Sequence, residues 1–334
     1  MRAIVLEQYG GPEVLTMRDI PKPRTGPDEV LIRVHATALN RADLVQRQGR
    51  YPPPGKMGAY QVPGLEASGE VEAVGERVTL FQPGDRVMAL LAEGGYAEYV
   101  AAHERLTMPI PENMSWEEAS AIPEVFLTAF DALYNQGEAR PGDAVLVHAG
   151  ASGVGSAAIQ LAHEGGMLVI ATVGSQLKEE AARAFGADVV VNYRQEPFLP
   201  VVQRVTQNRG VDVILDFVGQ QYLEANIEAL APDGTLVVIG TLSGSEGRLN
   251  LGLVLGRRLR IQGTALRSRP IERKMALVQQ FLREAWPLLA NGRVKPVIDR
   301  VYSLDKVADA HRYMASNQNI GKIVMAVSPA TSSV

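Results

Sequence analysis

The residues best placed to do chemistry stand together at Val145-Leu146-Val147-His148-Ala149-Gly150-Ala151-Ser152-Gly153-Val154-Gly155. A short apolar strand ends there, and a turn of Gly, Ala and Ser follows. Apolar spacing at Val154, Ala158 and Leu161 then predicts a helix over Gly153 to Glu164. Residues this small let the backbone approach a pyrophosphate, and a helix N-terminus offers that anion free N–H donors and the positive end of its dipole. Gly150, Ser152, Gly153, Val154 and Gly155 are therefore expected to bind a dinucleotide. A tight turn without a ligand is the alternative, disfavoured because this turn opens a series of strand–helix units. The end of the second strand bears on which nicotinamide is bound. An NAD site carries Asp or Glu about 20 residues past the turn, on the ribose 2′-hydroxyl. Here the strand ends Thr172-Val173-Gly174-Ser175, Lys178 follows, and Tyr193 comes after the third strand. With no carboxylate and a cation nearby, Gly174, Ser175, Lys178 and Tyr193 suit a 2′-phosphate, so the expected cofactor is NADPH. Taken alone, Lys178 would be a solvated helix lysine.

The chain has no cysteine, which removes disulfides, all-cysteine zinc sites and thiolate nucleophiles. Its five histidines are scattered, and its net charge of −4 comes without a clustered basic face, so nucleic acid is not an expected partner. No apolar run approaches the roughly 18 residues of a membrane span. Residues 1–30 lack the basic start and apolar core of a secretory signal, so the expected location is cytoplasmic, with no membrane partner. A chain of 334 residues, 46% hydrophobic and 21% charged, is globular in composition and too long for one core, which predicts two domains.

Two segments of different character position these residues. Up to about residue 120 the chain is β-rich, with strands predicted at Arg2 to Glu7, Val30 to Ala38, Gly69 to Val74, Arg86 to Leu90 and Tyr96 to Ala101. Beyond Ile122 strands and helices alternate. The strands are Ala144 to His148, Met167 to Val173, Asp188 to Asn192, Val211 to Phe217, Gly234 to Ile239 and a last one at Arg260 to Thr264; helices include Gln176 to Phe185. That alternation predicts an α/β fold with a parallel sheet covered on both faces. A helix over Glu272 to Ala290, a Pro-containing loop, a helix over Leu304 to Ala315 and a strand over Lys322 to Val327 should return to the first domain. The last seven residues, from Ser328, look like a frayed tail.

Five motifs carry a family resemblance: Leu39-Asn40-Arg41-Ala42-Asp43, Pro63-Gly64-Leu65-Glu66-Ala67-Ser68-Gly69, Gln82-Pro83-Gly84-Asp85-Arg86-Val87, the glycine-rich turn, and Asn319-Ile320-Gly321-Lys322. Together they resemble the zinc-independent quinone oxidoreductase branch of the medium-chain dehydrogenase/reductase superfamily, over nearly the whole length to about Val327. Arg47-Gln48-Gly49-Arg50-Tyr51-Pro52-Pro53-Pro54 and His148 to Gly153 most resemble its tumour-protein-inducible subgroup. The resemblance implies a GroES-like β-rich catalytic domain over residues 1–124 and 266–334, a Rossmann domain over 125–265, NADPH in the cleft between them, and a homodimer or sometimes a tetramer. Zinc alcohol dehydrogenases have Gly-His-Glu where this chain has Gly64-Leu65-Glu66. Leu65 cannot ligate a metal, and no metal is expected. The turn also departs from the Ala-x-x-Gly-x-x-Gly common in the branch, with Ser152 as its middle member.

By the same resemblance Tyr51 lines the substrate pocket and hydrogen-bonds or protonates a carbonyl oxygen. Asn40 contacts the nicotinamide ribose or the substrate, and Ser152 touches the cofactor. Thr128, Val218, Thr241, Leu266 and Asn319 join the cofactor contacts; Arg267 lies near the cofactor's mouth, and Glu66 is a buried acceptor. Plainer readings stand beside these: a surface-loop tyrosine, an N-cap before Arg41 to Gln46, turn packing at Ser152, and a solvated Arg267. His148 is expected as a packed core residue. A quinone is already electrophilic, so its reduction needs positioning more than a Lewis acid. NADPH-dependent quinone reduction is thus the first expectation. Reduction of activated C=C bonds in enals, enones or enoyl thioesters, and NADPH binding without turnover, remain open.

Overall fold

Apolar alternation in the first segment becomes the strands β1 (Arg2–Leu6), β2 (Leu15–Asp19), β3 (Glu29–Ala38), β4 (Glu66–Val74), β5 (Arg86–Leu90), β6 (Tyr99–His103) and β7 (Thr107–Pro109), with helices α1 (Arg41–Arg47), α2 (Trp116–Ser120) and α3 (Pro123–Phe130). The computed structural model describes residues 1–51 and 59–327. Pro52 to Pro54 of the subgroup motif and the tail from Ser328 lie outside them. The chain divides into two compact units, Met1–Leu127 with Leu266–Val334, and Thr128–Ala265.

In the first unit β1 and β2 form an antiparallel hairpin, and β3 is the hub of a larger sheet, paired antiparallel with β4 and β6. Ile4, Ile32, Val34, Val71, Val87 and Val100 bury the inward faces of these strands in one core. Burying each such side chain contributes about 1.5–3 kcal/mol.

The second unit holds β8 (Ala144–Val147), β9 (Leu168–Val173), β10 (Val189–Asn192), β11 (Val211–Asp216), β12 (Leu230–Val238) and β13 (Arg260–Gly263). Its helices are α4 (Gly153–Glu164), α5 (Gln176–Ala184), α6 (Phe198–Val205), α7 (Leu223–Ala229) and α8 (Leu251–Arg257). Strand order is β10-β9-β8-β11-β12-β13, and every pairing is parallel. This is the Rossmann order, with its switch point between β8 and β11, where ligands bind beyond the carboxyl ends of the strands. β8 is buried along its whole length, as a central parallel strand between helical layers must be.

The chain returns to the first unit through α9 (Ile271–Glu284), α10 (Trp286–Ala290), β14 (Ile298–Ser303), α11 (Val307–Ala315) and β15 (Lys322–Ala326), where β15 pairs with both β14 and β3. Two expectations are corrected. The helix over Glu272 to Ala290 is two helices meeting at Ala285, because Pro287 has no N–H to continue the first. The expected Pro-containing loop includes a strand, β14, none of whose residues is fully buried and which carries no apolar alternation. Leu304 to Lys306 form a 3-10 turn ahead of α11. No helix among the described residues is long and apolar enough to cross a membrane.

Candidate functional site

The glycine-rich turn is held by its own backbone. Ala149 adopts a left-handed φ of 50°, and the Gly150 N–H donates to Thr172 O at 2.9 Å, tying the turn to β9. Ser152 caps α4: its Oγ accepts from the Gly155 N–H at 3.0 Å. The turn-packing role of Ser152 is therefore visible, and it leaves the Gly153 and Val154 N–H groups as first-turn donors with no helical carbonyl to bond. A Cβ on Gly155 would lie 2.3 Å from Ala149 O, a backbone atom that cannot swing aside. This close-built nest fits a pyrophosphate. Gly155→Ala is expected to cost about 1–3 kcal/mol of stability through overpacking and to weaken dinucleotide binding at least tenfold. Calorimetric titration with the nucleotide measures the second effect, and unchanged affinity would remove the turn from the site.

At the end of β9 a second close approach occurs. A Cβ on Gly174 would sit 2.3 Å from the Tyr193 hydroxyl oxygen, and the Tyr193 N–H donates to Val173 O at 3.1 Å. Tyr193, 47% exposed, therefore covers Gly174 with the hydroxyl end of its ring. Ser175 caps α5, its Oγ accepting from the Lys178 N–H at 3.4 Å, and Lys178 is partly buried on the first turn. The one acid in that turn, Glu179, accepts from Asn192 Nδ2 at 2.7 Å. Beyond β11 and β12 the loops are laced together: Val218 O accepts from the Ser243 N–H at 2.8 Å and from its hydroxyl at 2.7 Å, and Thr241 O accepts from the Gly244 N–H at 3.1 Å. The second unit thus brings the turn, Gly174, Ser175, Val218 and Thr241 to the carboxyl edge of its sheet. Thr128 is buried on α3, just before a π-helical segment, Asp131–Gln136.

His148 is the packed residue expected. Its Nδ1 lies 2.9 Å from Thr172 Oγ1 and its Nε2 2.8 Å from Asn226 Oδ1, between the rings of Phe198 and Tyr222. Burial holds its pKa down at about 4, so it is neutral at pH 7 and acts as a strut.

In the first unit Asn40 does two things. Its backbone starts α1, with the N–H donating to Asp43 Oδ2 at 2.8 Å. Its side chain turns to a buried polar knot: Nδ2 donates to Glu66 Oε1 at 2.8 Å, and Oδ1 accepts from Lys322 Nζ at 2.7 Å. Lys322 Nζ also donates to Leu39 O and Glu66 Oε1, each at 2.7 Å, so its three protons are all placed. Glu66 Oε2 accepts from the Glu124 N–H at 2.8 Å. Glu66 is thus a buried acceptor whose counter-charge is an ammonium. With Leu65 beside it, no donor set for a metal forms, and among the described residues no three His, Asp or Glu side chains gather into one. Sequence reasoning misses three residues of this region: Lys322, visible only as the end of a motif, Glu124 and Lys274. Lys322 finds its partners 256 to 283 positions away, Lys274 bonds a carbonyl only seven residues away, and no local motif marks the contacts of any of the three.

Tyr51 is half-buried. Arg267 lies over its ring at 5.0 Å, and the Nη1 donates to Tyr51 O at 3.1 Å. The Arg267 Nε donates to Ala92 O at 2.7 Å, while Arg267 O accepts from Lys274 Nζ at 3.0 Å. At 3% exposure Arg267 is not the solvated arginine of the plainer reading; it clamps the Tyr51 backbone. Burial pushes the Tyr51 phenol up. Leu266 is buried beside it in sequence. Asn319 is inside a turn, its Nδ2 donating to Gly321 O at 2.8 Å.

Comparison with known proteins bears on both units. Residues 185–325 match the family model described as zinc-binding dehydrogenase, and residues 26–112 match the alcohol dehydrogenase GroES-like domain. A quinone oxidoreductase of Rattus norvegicus is 32% identical over 328 residues, 97% of each chain. Among solved structures, a NAD-dependent alcohol dehydrogenase superposes with a TM-score of 0.88 at 38% identity, covering 98% of this chain and 100% of its own. An Escherichia coli quinone oxidoreductase complexed with NADPH gives 0.88 at 29% identity, covering 98% and 100%. Similarity that runs end to end through the GroES-like sheet and the Rossmann sheet, above 30% in identity, makes the assignment plain: the chain belongs to the quinone oxidoreductase-like branch of the medium-chain dehydrogenase/reductase superfamily.

Proposed function

We propose that this chain is an NADPH-dependent quinone reductase that works without a metal. The carrying observation is the buried knot of Asn40, Glu66 and Lys322, in which the motif carboxylate is matched by an ammonium. A site built this way offers no Lewis acid, so its acceptor has to be electrophilic already, as a quinone is. The quinone oxidoreductases among its relatives support the same substrate class. Bound NADPH would supply the hydride. The second unit's part is to hold the dinucleotide: the Gly153 and Val154 N–H groups on the pyrophosphate, and Gly174, Ser175, Lys178 and Tyr193 around the 2′-phosphate, where no free carboxylate opposes it. Val218, Thr241 and Thr128 complete that unit's contacts, and Asn40, Leu266 and Asn319 are contributed by the first. The first unit's part is to orient the acceptor against Tyr51, which Arg267 holds in place.

A homodimer is part of this reading. β13, the outer strand of its sheet, is exposed along its length, and Leu251 and Leu255 on α8 are 69% and 81% exposed. A second copy pairing there would cover an unprotected edge.

The test is oxidation of NADPH and of NADH by the purified protein, with an ortho-quinone and a simple enal as separate acceptors. The expected result is rapid loss of NADPH with the quinone. Turnover with the enal alone would move the chain to alkene reduction with the same cofactor. A preference for NADH, as in the related NAD-dependent alcohol dehydrogenase, would overturn the 2′-phosphate reading.

A further inference from the structure

Among the described residues, Glu124 is one of two acids around Arg267, with Glu93, whose carboxyl makes no hydrogen bond or ion pair. The Glu124 backbone is fixed, since its N–H donates to Glu66 Oε2. Its side chain is mostly enclosed, keeps some accessible surface, and makes no hydrogen bond or ion pair among the described residues. None of the surrounding cations bonds it: Lys322 donates to Leu39, Asn40 and Glu66, Lys274 to Arg267 O, and Arg267 to Ala92 O and Tyr51 O, with its Nη2 left unpartnered. A largely enclosed carboxyl without partners is disfavoured as an anion, and one that still reaches solvent can store a proton and regain it.

We propose that Glu124 is the proton donor of the reduction, and that Tyr51 positions the acceptor. This rests on the reductase reading above. Converting a quinone to a hydroquinone takes one hydride and one proton. The hydride would come from bound NADPH, the two-electron reductant for the quinone, which leaves as NADP⁺. The Glu124 O–H bond breaks as an O–H bond forms on the product oxygen, and the carboxylate regains its proton from solvent. An enal takes the same proton at carbon.

The electrostatics agree. The charges acting on Glu124 are Glu66, Lys322, Asp43 and Arg267, and Glu124 acts in turn on Lys274 and Tyr51. Burial first, then the Glu66 carboxylate, push the Glu124 carboxyl up to about 8, against the pull of Lys322. The N-terminal position on α3 also favours the anion, but only as an end-of-helix dipole. Tyr51 moves the other way for a donor: burial, then Glu124, raise its phenol above an already high value. A general acid works best when its pKa lies near the working pH, which selects Glu124.

Wild type, Glu124→Gln, Glu124→Asp and Tyr51→Phe separate these roles. Wild-type kcat should fall as pH rises through about 8. Glu124→Gln should lose at least tenfold in kcat with little change in KM and lose that alkaline fall, Glu124→Asp should recover part of the rate, and Tyr51→Phe should keep the fall. Infrared difference spectra of the protein without substrate should show a protonated-carboxyl band that titrates near pH 8 and is missing in Glu124→Gln. Folding gives an independent readout. The folded carboxyl holds its proton where the unfolded one has lost it, so stability falls as pH rises from the ordinary carboxylate range through about 8. Glu124→Gln should therefore melt higher than wild type at pH 9 and not at pH 5. Turnover that Glu124→Gln leaves unchanged, or an absent carboxyl band at pH 7, overturns this proposal and leaves the reductase reading standing. No turnover with either acceptor overturns both.

Discussion

Lys322→Met should lower the stability of the first unit by about 3–5 kcal/mol, the scale for removing one partner of a buried ion pair. The ammonium is 4% exposed and the Glu66 side chain 0%, so water cannot take over when the cation is removed. Glu66 would keep only the Asn40 Nδ2 and Glu124 N–H donors for a full negative charge. Leu39 O and Asn40 Oδ1 would lose their donor as well. Lys322 opens β15, the strand that joins β14 to β3, so the loss falls where the returning chain is sewn into the sheet. Glu66→Gln should cost less, because the ammonium keeps three oxygen acceptors in reach. The double variant Lys322→Met/Glu66→Leu should lose much less than the single losses added together, since apolar replacement of a whole buried pair is often close to neutral. Urea unfolding followed by a probe in the first unit measures all three. A Lys322→Met loss below 1 kcal/mol would mean that the pair does not hold the sheet together.

The same knot shows where sequence reasoning stops. Helix α4 was legible to its ends, because Ser152 is a capping residue and Gly165 follows the last turn. The Rossmann order follows from alternating strands and helices, and β8 announces itself by four consecutive apolar residues. In the GroES-like sheet the long strand β3 was legible from its apolar alternation, while β2 and β14 carry weak patterns and were not. Asn40 could be placed as a helix start from its neighbours. Its side-chain partners could not: Lys322 is 282 positions away and Glu66 is 26, and only the folded sheet brings them together. Arg267 was ambiguous for a related reason. Between Leu266 and Ser268, with arginine again at position 269, it looks solvated; its burial depends on carbonyls of Ala92 and Tyr51, on other parts of the chain. Glu124 gives no local signal at all, because an acid in the first turn of a helix is what helix electrostatics alone would select.

The cofactor choice is open to an equally direct intervention at the end of β9. Ser175→Asp is expected to weaken NADPH binding about a hundredfold while leaving NADH binding within a few-fold. The substitution is mild for the fold: Ser175 sits in extended backbone as the cap of α5, and aspartate caps a helix as well as serine does. What changes is charge. A carboxylate about 5 Å from a 2′-phosphate costs roughly 3 kcal/mol at an effective dielectric near 20, which is a factor of a hundred in affinity. For the 2′-hydroxyl of NADH the same carboxylate is a hydrogen-bond acceptor, so that cofactor bears no such penalty. Gly174→Ala tests the neighbouring contact by steric means, because its Cβ would displace the Tyr193 ring. It should weaken NADPH more than NADH if Tyr193 faces the 2′-phosphate, and both equally if it only packs the strand end. Binding titrations with each nucleotide, without acceptor, keep these tests free of the chemistry. Equal loss of NADPH and NADH in Ser175→Asp would place the 2′ position away from the end of β9, and the absence of an acid there would then say nothing about which nicotinamide the chain prefers.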